Sequence, residues 1–189
     1  MTDHTGARLS RREVLQAFAA TAVTAAPTYT SAFGILRGAG DVRRIKMHSG
    51  RTGEHIDMIY WIDGKYISDA LAEVNYFMRD WRQDKAAKMD TRTIDIIAAT
   101  RNLLETDNSF MLLSGYRTAQ TNAMLRARSS GVARRSLHME AKAADLRLNG
   151  RSVGQIARAA ASVSAGGVGR YSGSNFVHVD CGAVRTWGR

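Results

Sequence analysis

From Val14 to Phe33 the chain carries no charged residue, and Arg8, Arg11 and Arg12 stand just before that stretch. Its apolar centre, VLQAFAATAVTAA at residues 14–26, is shorter than the roughly 20 residues needed to cross a bilayer as a helix. A basic start, a short apolar run and small residues ending at Ala32 follow the order of a bacterial export signal. Ser10-Arg11-Arg12-Glu13-Val14-Leu15 also fits the twin-arginine (Tat) pattern. Residues 1–32 are therefore expected to be a Tat address. The protein should be periplasmic with no permanent membrane span, and residues 33–189 are left to fold as one domain of ordinary size.

Hydrophobic residues at 44% and charged residues at 23% are the balance of a globular chain, which excludes a disordered, collagenous or polytopic membrane protein. A single cysteine, Cys181, excludes an internal disulfide framework and any multi-cysteine metal site. The formal charge is +10, and removal of the leader takes away three arginines and two acids, leaving a domain near +9. Such a domain seeks an anionic partner, and outside the cytoplasm that partner is a wall polymer or a membrane surface more often than DNA. With no zinc-finger spacing and no RNA-binding signature, no nucleic-acid partner is expected.

Residues 43–47 and 54–61 alternate around a Ser-Gly-Arg-Thr-Gly turn, which predicts a β-hairpin. A helix follows, capped by Ser68 or Asp69, with Leu71, Val74, Phe77, Met78 and Trp81 on one stripe. A second helix should run from Asp90 to about Leu103. Strands are expected at 109–114, 141–148, 166–171 and 175–181, and helices at 118–128 and, capped by Ser152, through Val163. This order predicts an α+β fold in which a small antiparallel sheet is flanked by helices.

Of five histidines, His138 and His178 sit at strand ends near carboxylates. His138 and Asp145 are seven apart, so they share a site only if the chain turns between them, near residues 139–141. His178 and Asp180 are two apart and share a strand face. Two imidazoles and a carboxylate match a catalytic zinc site with an open fourth position, although core or supporting histidines fit the spacing equally well.

Ser114-Gly115-Tyr116-Arg117, Ser136-Leu137-His138 with Ala143 and Asp145, and Phe176-Val177-His178-Val179-Asp180, in that order, resemble the zinc D-alanyl-D-alanine metallopeptidases, and within them the MepK group of periplasmic murein endopeptidases. The resemblance spans essentially all of residues 33–189. It implies zinc as cofactor, held by His138, Asp145 and His178, and Arg117 as a catalytic and substrate-binding arginine that steadies an oxyanion. Ser136 would bind substrate or orient its loop. Two positions depart from the pattern. Ala141 stands where glycine is common, and Asn175 stands where many members place an acidic general base. Asp180 would then be either the base or a support for a ligand imidazole.

The implied function is zinc-dependent hydrolysis of peptide cross-links in peptidoglycan, either D-alanyl-diaminopimelate or diaminopimelate-diaminopimelate bonds involving the diamino acid of the stem, by a monomer acting on peptide stems. The alternatives are a D,D- or L,D-carboxypeptidase and a catalytically inactive zinc-containing wall-binding module.

Overall fold

The computed structural model describes residues 41–188, so the expected export signal lies outside the described residues. Alternating burial brings the first two strands together. Strand β1 (Arg43–Ser49) buries Ile45 and Met47 and turns Arg44 outward, and it pairs antiparallel with β2 (His55–Ile62) as expected. Asp63 and Gly64, both at positive φ, then fold a short β3 (Lys65–Tyr66) back onto β2, a strand too short for alternation to reveal.

Helix α1 (Ser68–Phe77) buries Ala70, Val74 and Phe77. Ser68 is its first residue and not its cap. Ile67 holds that position without a side-chain bond, and Trp81 lies beyond the helix end and is exposed. Helix α2 (Thr91–Leu103) starts where Asp90 accepts from the Arg92 backbone N–H. After β4 (Phe110–Ser114), Thr118 caps α3 (Ala119–Arg128). A 3₁₀ turn (Leu137–Glu140) leads into β5 (Ala143–Leu148). A Ser152/Gln155 capping box opens α4 (Val153–Ser162), followed by β6 (Gly167–Tyr171), β7 (Phe176–Asp180) and β8 (Arg185–Gly188).

The class is α+β with flanking helices, as expected, but the sheet is neither small nor wholly antiparallel. Eight strands run in the order β3-β2-β1-β4-β5-β7-β6-β8, with parallel pairing at β1/β4 and β6/β8. The first parallel pair follows from the α1–α2 excursion, which carries the chain back to its starting side. The second arises because β8 takes the free edge of β6, beside which β7 already runs antiparallel.

Ile45, Met47, Phe110, Leu112, Leu146, Leu148, Val177 and Val179 form the buried face of the sheet, against which α2 and α4 pack. By the period-two rule, Met111, Asp145, Arg147, Phe176, His178 and Asp180 belong to the opposite face.

Candidate metal centre

Each prospective ligand is held by a local device. His138 lies in the 3₁₀ turn, where Ser136 Oγ accepts from its backbone N–H at 3.4 Å and the Gly115 carbonyl accepts from its Nδ1 at 2.7 Å. The turn closes with Ala141 in the left-handed region, at φ 55° and ψ 35°. An alanine there costs on the order of 1 kcal/mol relative to glycine. The conformation is fixed by the Ala141 N–H on the His138 carbonyl and by the Asp90 N–H on the Ala141 carbonyl. Asp145 and His178 face each other across β5 and β7 as register partners.

The three side chains converge. His138 Nε2 lies 3.2 Å from His178 Nδ1 and 3.3 Å from Asp145 Oδ1, which is 2.9 Å from His178 Nδ1. Hydrogen bonds on the far sides settle the neutral tautomers. Nδ1 of His138 donates to a carbonyl, and Nε2 of His178 donates to Asp180 Oδ2 at 3.1 Å. Both remaining nitrogens therefore point lone pairs at a carboxylate oxygen, an arrangement that needs a cation. Ligand atoms about 2.1 Å from a tetrahedral zinc stand roughly 3.4 Å apart, close to the spacing found. These residues fit a metal ion.

The electrostatics show the same demand for positive charge, which in the metal-free centre an added proton on His178 meets and a bound metal would displace. Burial alone would push the Asp145 carboxyl up, but the facing His138 and His178 hold it far below the usual carboxylate range. Burial opposes a charge on His178, yet its hydrogen bonds to Asp145 and Asp180 prevail and push it up to about 9.

The other expected site residues stand behind this triad. Arg117 is 7% exposed; its guanidinium donates to Ser114 Oγ at 3.1 Å and Asn122 Oδ1 at 3.3 Å and reaches Asp145 Oδ2 at 3.5 Å. Ser136 is likewise buried. Arg117 was expected to touch substrate, and Ser136 to do so or to orient its loop. Arg117 turns inward onto the Asp145 carboxylate, and Ser136 bonds the backbone of His138, which is the loop-orienting geometry.

Asp180 is fully buried, and its two oxygens accept five hydrogen bonds. These come from the Gly167 and Gly182 N–H groups, twice from Arg185, and from His178. Burial would raise its carboxyl, but His178, Arg185 and Gly182 outweigh burial and lower it. A carboxylate offers about four lone-pair positions, so Asp180 has none left for the general-base role expected of it. Its hydrogen bond to His178 Nε2 is instead the geometry of the other role left open by the sequence, support for an imidazole. Asn175 sits exposed at φ 53° in the β6–β7 turn, a conformation asparagine tolerates, with its carbonyl accepting from Arg147. Glu140 is exposed and paired with Lys142.

Sequence reasoning singled out Trp187 as an aromatic that could line a groove, but missed strand β8 itself and Arg185. Arg185 engages both oxygens of Asp180, and the Trp187 ring lies 5.3 Å from the His178 ring with Nε1 donating to Tyr171 Oη. A Cβ on Gly169 would come within 2.6 Å of that indole, so only glycine lets Trp187 wall the centre. Gly169 lies opposite His178 on β6, a register that only the folded sheet reveals.

The sequence model of the family described as peptidoglycan L,D-endopeptidase MepK matches residues 37–187. The chain belongs to the MepK family of M15 peptidases. It is similar to the peptidoglycan L,D-endopeptidase MepK of Escherichia coli K12, with 39% identity over 178 residues, 94% of this chain and 97% of that one. The same degree of similarity relates it to MepK of Shigella flexneri. It is also 38% identical over 137 residues to the probable MepK of Haemophilus influenzae, covering 72% of this chain and 74% of that one. In the MepK family setting, the triad lies within the matched region and is the group of His, Cys, Asp and Glu side chains among the described residues arranged to hold a metal. No described helix is long and apolar enough to cross a membrane.

Proposed function

We propose that this chain is a zinc-dependent peptidoglycan endopeptidase that hydrolyses L,D peptide bonds in murein cross-links and works in the periplasm after Tat export. The observation that carries the reading is the meeting of His138 Nε2, Asp145 Oδ1 and His178 Nδ1, each pair within 3.3 Å, in a chain of the MepK family. When bound by these three residues, zinc supplies Lewis acidity toward a peptide carbonyl and its attacking water.

The protein's own residues prepare that site. The Gly115 carbonyl fixes the His138 tautomer and Asp180 fixes that of His178, so both imidazoles present a lone pair without rearrangement. Arg117 is a positioning residue. It offers its charge to Asp145 Oδ2 and leaves Oδ1 for the metal. Trp187 excludes water from one side of His178.

The test is mass spectrometry of muropeptides after the zinc-loaded full chain is mixed with sacculi, with His138→Ala as control. Conversion of cross-linked dimers to monomers by the wild type alone is expected. Release of single terminal residues from stems would show a carboxypeptidase. Sacculus binding without any product, at full zinc content, would overturn the enzyme in favour of a wall-binding module.

A further inference from the structure

A cleft of about 440 Å³ opens on the ligand-bearing side of the sheet, lined by Met111, Leu113 and Phe176 together with Arg51 and Arg147. Strand register fixes its distance from the metal centre. Arg147 is two residues from Asp145 on β5, and Phe176 is two residues from His178 on β7. Asp145 pairs with His178 and Met111 with Arg147. The cleft therefore begins one same-face step, about 7 Å, from the ligands.

Its chemistry is two-sided. The floor is apolar, and neither cation is paired with a carboxylate among the described residues. Arg147 donates to the Asn175 and Ser174 carbonyls at 2.6 and 2.8 Å, which fixes the guanidinium without neutralising it. Arg51 stands at the hairpin tip with its guanidinium 6.0 Å from the Trp81 ring, over which Arg82 also stacks at 4.2 Å. Burial lowers the proton affinity of Arg82, and the nearby Arg117, Arg51 and Arg128 lower it further, despite Asp80. Positive potential is thus concentrated beside an apolar trough, which complements an aliphatic chain ending in a carboxylate.

We infer that this cleft is a subsite for one arm of the cross-linked stem peptide, in which Met111, Leu113 and Phe176 take the aliphatic portion and Arg51 and Arg147 take its free carboxylate. The inference rests on the endopeptidase reading above, and it assigns these residues as determinants of substrate specificity. Either of two carboxylates on a stem dimer can supply the charge, that of the diamino acid or that of the terminal residue.

The experiment uses the zinc-loaded full chain and three purified stem dimers: unmodified, amidated at the diamino acid, and amidated at the terminal residue. Arg51→Met is the main variant, because among the described residues no hydrogen bond holds its side chain in the fold. Arg147→Met and Arg147→Lys are compared with it. On the unmodified dimer, Arg51→Met and Arg147→Met should each lower kcat/KM about tenfold or more, mostly through KM, with partial rescue by lysine. One amidated dimer should show the same loss with the wild type, and the Arg51 variant should lower it no further. That dimer identifies the carboxylate. Equal cleavage of all three dimers by the wild type, or an equal loss on all three in both variants, would overturn the subsite.

If the wild type at full zinc content cleaves no dimer, the endopeptidase reading fails separately. The cleft is then read by equilibrium binding of the same dimers to the metal-stripped full chain. A preference for acid over amide that Arg51→Met abolishes would uphold the subsite, and equal affinities would refute it.

Discussion

Replacing Asp180 by asparagine keeps the shape of the side chain and removes the acceptor that organises the metal centre. Oδ1 accepts from the Gly167 N–H at 3.1 Å, the Gly182 N–H at 2.9 Å and Arg185 Nη1 at 3.1 Å, while Oδ2 accepts from His178 Nε2 at 3.1 Å and Arg185 Nη2 at 2.7 Å. An amide has one acceptor end. With its oxygen toward His178, its NH₂ meets three donors and leaves the buried Gly167 N–H and the half-buried Gly182 N–H unpaired, the first costing about 1–3 kcal/mol and the second less. With the amide reversed, the glycines are served but an N–H faces the Nε2–H of His178 and drives the ring toward the wrong tautomer. Stability should fall by about 1–4 kcal/mol in the first orientation, and in either one zinc affinity should fall about 10–100-fold. Chelator competition measures the affinity and thermal melting of the metal-free protein measures the stability. If Asp180→Asn holds zinc as tightly as the wild type, the tautomer-locking role is wrong, whatever happens to the melting temperature.

Chelation, or His138→Ala, should remove metal and dimer cleavage together. Added zinc should restore only the chelated wild type, as read by metal analysis and muropeptide release. Asp80→Asn should cost about 1–3 kcal/mol at pH 7, because the buried carboxylate accepts from the Thr118 N–H, the Thr118 hydroxyl and the Arg82 N–H. Burial raises the Asp80 carboxyl, but the Thr121 side chain together with these bonds outweighs it and holds it below its ordinary value. Its stabilisation is therefore complete above about pH 4 and fades as pH falls through the lower folded value. Denaturant midpoints of wild type and variant should converge as pH falls below about 4. Gly169→Val should push Trp187 off His178 and destabilise the fold by about 1–3 kcal/mol. Its turnover should drop more than its zinc content, and unchanged kcat would refute the wall role.

What the sequence determined by itself was local or carried by the family motif. Asp90, Thr118 and Ser152 begin helices because a short acceptor side chain can satisfy a backbone N–H two or three residues on, which neighbouring residues alone decide. The hairpin follows from alternation and turn chemistry. His138, Asp145 and His178 were named by their motif, and the turn they required near residues 139–141 was legible because parity forbids a straight strand between them. Tertiary structure decided which groups surround the ligands. Arg117 turns inward because Ser114, Asn122 and Asp145, from three separate elements, meet its guanidinium. The oxygens of Asp180 are filled with donors because β8 returns along β6 and brings Arg185 to both of them. Nothing in one strand's sequence encodes the donors that a distant strand will present. The two-residue spacing of His178 and Asp180 fixed their shared face, while the number of hydrogen bonds waiting there depended on long-range pairing, whose register is set by the packing of the whole sheet.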